Sequence, residues 1–185
     1  MRIFYFTLLI ILSFTNSIKA NENSQIINTL KKGGNLIFIR HAYAPGGGDP
    51  ENFNISDCST QRNLNKDGIN QSIKIGKFFL ENGIPIDKVI SSNWCRCKDT
   101  AEIAFKKYET VNFLNSFFSS KFAHNRQKQM KDLKDYVKNW NRKSNLIFVT
   151  HYVVIAEALN YAPTSGEIVI SDINFDKLGS VVIDY

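Results

Sequence analysis

The chain has 185 residues, 43% of them hydrophobic and 22% charged, which gives the length of one domain and the apolar content for a core. That composition excludes a disordered tail, and three cysteines are too few for a disulfide-dense scaffold. A net charge of +6 leaves nucleic acid, membrane surfaces and anionic small molecules all open as partners.

Residues 1–20 have the features of a secretory signal: Arg2, an apolar run from Ile3 to Leu12, and Ser17 and Ala20 as candidate cleavage positions. The expected organisation is a signal peptide over 1–20 and one domain over 21–185, exported to the periplasm or secreted. After cleavage no stable membrane insertion is expected; a retained anchor and a buried first element are the alternatives, and the apolar run is short for a membrane span. Cleavage removes Arg2 and Lys19, two of the six net positive charges. Export places Cys58, Cys95 and Cys97 in an oxidising compartment, where the odd set allows one internal pair. Cys58 is expected to pair with Cys95 or Cys97, because a Cys95–Cys97 bridge closes a strained small ring. The spacing of the cysteines and histidines fits no zinc site.

From Ser24 to Lys32 a short helix is predicted, ended by Gly33-Gly34. Leu36-Ile37-Phe38-Ile39 reads as a strand buried on both faces. Ala42 to Leu64 is a long polar loop carrying Gly46-Gly47-Gly48, and loops of that length are commonly functional. A helix follows over Asp67 to Asn82, with Ile69, Ile73, Gly76 and Leu80 as its apolar face. Next come a strand over Lys88 to Ser92, a helix over Trp94 to Lys107 and a third strand over Thr110 to Leu114. Arg126 to Arg142 is helical, with Met130, Leu133, Val137 and Trp140 on one side. Leu146 to Thr150 repeats the buried-strand pattern, and Tyr152 to Leu159 is a helix. Two strands, Glu167 to Ser171 and Ser180 to Ile183, close the chain around a turn at Asp176 to Gly179. Strands alternating with helices predict an α/β fold, a three-layer sandwich with a mostly parallel sheet flanked by helices.

Ligands of open α/β sheets bind beyond the carboxyl ends of the strands. Three such ends carry one type of chemistry: Arg40-His41 after the first strand, Arg96 just after the second, and His151 after Thr150. Arginine forks match phosphate oxygens, and a neutral imidazole is a competent nucleophile. His151 would also stand at a helix N-terminus, where free amides favour anions. Each residue singly has a plainer explanation as a loop, cap or solvated side chain; their arrival at corresponding ends of adjacent elements favours a shared site.

The segments Leu36 to Ala42 (LIFIRHA), Arg62 to Gly68 (RNLNKDG), Ser91 to Ala101 (SSNWCRCKDTA) and Val149 to His151 (VTH) resemble, in order, those of the histidine phosphatase superfamily, which includes cofactor-dependent phosphoglycerate mutases. The resemblance implies a phosphoglycerate mutase-like fold and a nucleophilic role for His41. It also implies a phosphate pocket of Arg40, Arg96 and His151, and no metal or other cofactor. The implied reaction is hydrolysis of a phosphomonoester through phosphohistidine. The expected partner is a phosphorylated small molecule or an envelope phosphate ester, and no nucleic acid is expected. A phosphomutase and a non-catalytic phosphate-binding module are the alternatives.

Relatives of this kind commonly supply a carboxylic acid where this chain has Ser116, in Leu114-Asn115-Ser116. Either another carboxylate replaces it as proton donor, or the enzyme depends on a substrate with a good leaving group. Asp49, Glu51 and Asp57 on the long loop, and Glu167, are the candidate carboxylates, none of them singled out. Arg62 either reaches the pocket or pairs structurally with an acid. A disulfide from Cys58 would pin the long loop beside Arg96. His124 lies in a polar connector and is expected to be exposed. Lys and Arg outnumber Asp by eight to two between Lys121 and Lys143, read as a solvated helix face or a surface that steers anions.

Overall fold

The structure, a computed structural model, describes residues 24–185. The proposed signal at 1–20 lies outside the described residues. Helix α1 spans 24–32, followed by β1 (Leu36–Arg40), α2 (Lys66–Glu81), β2 (Ile86–Ser91) and α3 (Cys95–Phe105). Then come β3 (Glu109–Thr110), α4 (Arg126–Lys138), β4 (Asn145–Thr150), α5 (Tyr152–Leu159), β5 (Ile168–Ser171) and β6 (Lys177–Val181).

The strands form one six-stranded sheet in the order β3-β2-β4-β1-β5-β6. β1 to β4 run parallel, and β5 runs antiparallel to both of its neighbours. Alternation along β1 and β4 shows why three layers form. Ile37, Ile39, Ile147 and Val149 pack to one face with Leu30, Ile75, Phe79 and Ala101 of α1, α2 and α3. Leu36, Phe38, Leu146 and Phe148 pack to the other, against Leu133 and Val137 of α4 and Val154 and Ile155 of α5. Both faces of the central strands are therefore dry, as their unbroken apolar sequence requires.

Several details differ from the sequence reading, among them the end of α4, which stops at Lys138 rather than Arg142. The apolar face expected on α2 is rotated by one position: Gly68, Gln71, Ser72, Ile75 and Phe79 are buried, while Ile69, Ile73 and Leu80 are exposed. The cause is contact with the site loop. A Cβ on Gly68 would lie 2.0 Å from the Tyr43 carbonyl oxygen, and Gln71 Oε1 accepts from the Tyr43 N–H at 2.8 Å. Backbone service outranks the isoleucine stripe at this helix, although Gly76 still lies close against Ala104.

The third strand is also shorter than expected. Only Glu109 and Thr110 pair with β2, and Asn112–Leu114 form a 3₁₀ turn. The turn brings Asn115 Oδ1 to the Asn93 N–H at 2.9 Å. At the C-terminal end the hairpin turns at residues 172–176, so Lys177 to Gly179 belong to β6 and not to the turn. Asp172 fixes that turn by accepting from the backbone N–H groups of Asn174 and Asp176.

Candidate active site

β1 and β4 are neighbours in register, Arg40 opposite Thr150. The next residue on each strand is therefore a histidine, and the His41 N–H donates to the Thr150 carbonyl at 2.9 Å. The two rings lie edge-on with centroids 5.6 Å apart. Arg96 arrives from the first turn of α3, the helix that follows β2 on the other side of β4. Parallel register thus gathers residues distant in sequence at one edge of the sheet.

The surroundings of His41 fix its chemistry. Its Nδ1 lies 2.8 Å from the Ala42 carbonyl oxygen, which can only accept, so Nδ1 carries the proton. The other ring nitrogen, Nε2, keeps its lone pair and receives the Nε–H of Arg96 at 3.2 Å. Burial, reinforced by the positive charge of Arg96, holds the His41 pKa well below the ordinary histidine value. Burial and then Arg96 do the same to His151. Both rings are neutral at pH 7.

His151 is the N-cap residue of α5, but its ring makes no capping hydrogen bond. Its Nε2 is 2.8 Å from Ser92 Oγ, which donates onward to Asn115 Oδ1 at 3.1 Å. Cys97 Sγ lies 3.5 Å from the same nitrogen, and Trp94 packs edge-on against the ring, centroids 5.3 Å apart. Asn115 had no local sequence signal, because its role depends on the turn that replaces the end of β3.

Arg40 donates from Nη1 to the Pro163 carbonyl at 2.9 Å, and its buried Nε has no partner among the described residues. Arg62 lines the same cavity, donates to the Ala44 carbonyl, and likewise has a buried, unpartnered Nε. It reaches the pocket, and among the described residues its side chain pairs with no acid. Two guanidinium groups thus hold unused donors beside a third that touches His41. The cavity has a volume of about 680 Å³, with Tyr43, Trp94, Phe118, Phe122 and Tyr152 among its walls.

The carboxylates separate clearly. Asp57 is exposed and caps the 3₁₀ turn Cys58–Thr60. Glu167 is buried, but Tyr161 and Thr164 hold its carboxylate by hydrogen bonds. Glu51 is exposed on the cavity rim. Asp49 alone grips a site arginine: Oδ1 lies 2.6 Å from Arg96 Nη1, and Oδ2 3.2 Å from Nη2. The Trp94 indole N–H and the Arg62 backbone N–H also donate to it, at 3.0 and 3.1 Å. Burial pushes the Asp49 carboxyl up, but Arg96 and these donors more than offset it and hold the pKa below the usual carboxylate value. Ser116 lies buried in the cavity wall, its Oγ accepting from the Phe118 N–H at 3.3 Å.

Cys58 and Cys95 form a disulfide that ties the long loop to the residue beside Arg96, and Cys97 is a buried free thiol whose pKa burial pushes up to about 12. His124 is exposed.

No family model matches the chain, and no protein of curated function matches it at a significant level. Solved structures do match. A phosphoglycerate mutase from Thermus thermophilus aligns over 81% of this chain and 99% of its own, with TM-score 0.57 and 14% identity. The protein histidine phosphatase SixA, in complex with tungstate, aligns over 77% and 92%, with TM-score 0.52 and 16% identity. The product of open reading frame Rv3214 from Mycobacterium tuberculosis aligns over 81% and 96%, with TM-score 0.55 and 15% identity. The chain therefore has the α/β fold common to phosphoglycerate mutase and the histidine phosphatase SixA.

Proposed function

We propose that the chain is a phosphomonoester hydrolase that works through a phosphohistidine on His41. The observation that carries the reading is the His41 ring itself: buried, neutral, with Nδ1–H on the Ala42 carbonyl and a lone pair on Nε2 beside Arg96. Nε2 attacks phosphorus in line, and the bond to the leaving oxygen breaks. Arg96 and the unpartnered Nε groups of Arg40 and Arg62 hold the non-bridging oxygens and offset their charge. A phosphate dianion favours the charged form of His151, which then donates to a phosphoryl oxygen while Ser92 orients the ring. Water cleaves the phosphohistidine and returns the electron pair to Nε2.

The substrate we propose is a phosphorylated small molecule or envelope phosphate ester, encountered outside the cytoplasm. Export is supported by the signal features of residues 1–20 and by the Cys58–Cys95 disulfide, which suits an oxidising compartment. Cell fractionation and non-reducing mass mapping test the location; a cytoplasmic protein with three free thiols would overturn it.

The activity is tested with an aryl phosphate. The wild-type chain turns it over and acquires acid-labile, base-stable phosphate, and His41→Ala does neither. Phosphate binding without turnover in both proteins would instead make the chain a phosphate-binding module.

A further inference from the structure

The Asp49–Arg96 pair is out of keeping with a site built for anions. Arg96 is almost completely buried, and its fork is filled by a carboxylate from the chain itself. That carboxylate competes for the donors a phosphoryl group would use. It follows three glycines, of which Gly46 and Gly48 have φ of 97° and 150°, and besides Arg96 it is held by the Trp94 indole N–H and the Arg62 backbone N–H. Ser116, also in the cavity wall, cannot give up a proton near neutrality.

We propose that Asp49 is the proton donor to the leaving oxygen, held on Arg96 and released when a phosphoryl group takes over that guanidinium. This rests on the phosphohistidine reading above. His41 and Asp49 bond to one guanidinium, His41 at Nε and Asp49 at Nη1 and Nη2. A phosphoryl group placed before His41 Nε2 takes the Nη donors, and the displaced carboxylate comes to rest beside its outer oxygens. There it has left Arg96 and the N–H donors of Trp94 and Arg62 and gained a dianion as neighbour, and these changes make it take a proton from solvent.

The step balances. Nε2 of His41 forms the N–P bond, the P–O bond to the leaving group breaks, and the leaving oxygen takes the Asp49 proton. The resulting carboxylate then accepts a proton from the water that attacks the phosphohistidine. The N–P bond breaks, its electron pair returns to Nε2, and Asp49 is again a carboxylic acid until phosphate leaves and Arg96 reclaims it.

The test is a series of phosphomonoesters from 2,4-dinitrophenyl phosphate, which needs no acid, to an alkyl phosphate, which does. Asp49→Asn is expected to lose about 10²–10⁴-fold in kcat on the alkyl ester and less than about tenfold on the dinitrophenyl ester. An equal loss on both, or no loss on either, overturns the proposal. Should the variant fold poorly, the wild-type series decides alone: a shallow dependence of rate on leaving-group pKa supports an internal acid, and a steep one overturns it. Wild-type protein inactive on every ester removes the hydrolase reading itself, a result distinct from an active enzyme with a steep dependence.

Discussion

Arg96 donates its Nε–H to Nε2 of His41 across 3.2 Å, so the proposed nucleophile and the proposed anion clamp are hydrogen-bonded to each other. The rest of the fork extends away from His41, with Nη1 also donating to the Arg62 carbonyl at 3.2 Å. A lysine offers a point charge in place of this planar array. Arg96→Lys and Arg96→Ala are both expected to lower kcat/KM on an aryl phosphate by about 10²–10³-fold. Arg96→Ala also strands Asp49, at a cost of about 2–3 kcal/mol in urea unfolding, less than for a fully enclosed pair because the Asp49 side chain stays 18% exposed.

Acid is expected to weaken the fold through its two buried histidines. Their folded pKa values lie well below 6.5, burial being the main cause, so below pH 6.5 the unfolded chain binds protons that the folded chain does not. Stability is full above that pH and falls as pH drops toward the folded values, by up to about 1.4 kcal/mol per pH unit for each ring. Thermal melts from pH 7.5 to 5 measure the slope, and His151→Gln should make it shallower. The acid limb of kcat/KM is expected below pH 6.5 for the same reason, since His41 keeps its lone pair there.

The Cys58–Cys95 bond closes a long loop, with a sequence separation of 37. Chain-entropy arguments give up to about 4 kcal/mol for a loop of this length. Cys58→Ser should lower urea stability by roughly 2–4 kcal/mol. Thiol titration should find no reactive cysteine in the folded protein and one, Cys97, after denaturation without reductant. Two or three titrating thiols would show that the bond is not formed.

Gly68 lies against the carbonyl of Tyr43, two residues beyond His41. Gly68→Ala must push α2 from the site loop, and a loss of about 1–3 kcal/mol with a matching drop in turnover is expected. Ile73→Ala, on the exposed side of the same helix, should change stability by less than about 1 kcal/mol. Paired melts would reverse that order if the isoleucine stripe were the buried one.

Much of the fold was legible because the apolar runs of β1 and β4 admit one explanation, a strand covered on both faces. The convergence of Arg40, His41, Arg96 and His151 follows from that, since parallel strands deliver their carboxyl ends to one edge. The face of α2 was not legible. Glycine and glutamine on a buried stripe look polar in a sequence window, and only the approach of the Tyr43 backbone explains them. Nor was the shortened β3, whose turn serves the side chain of Asn115. Asp49 was visible as one acid among several in a loop, but its bidentate hold on Arg96 is a long-range contact with no local pattern.

β1 and β4 are joined by five consecutive register pairs that end at Arg40 and Thr150, and each histidine stands one step further on. Side chains alternate faces at every step, so a single residue inserted within either strand would turn one ring to the wrong side while leaving its partner in place. The hairpin turn at 172–176 lies at the far end of β5 from this edge and can take insertions at little cost. Variation in length is thus tolerated in loops and forbidden in two short strands, which makes the count of residues before each histidine as much a part of the site as the histidines themselves.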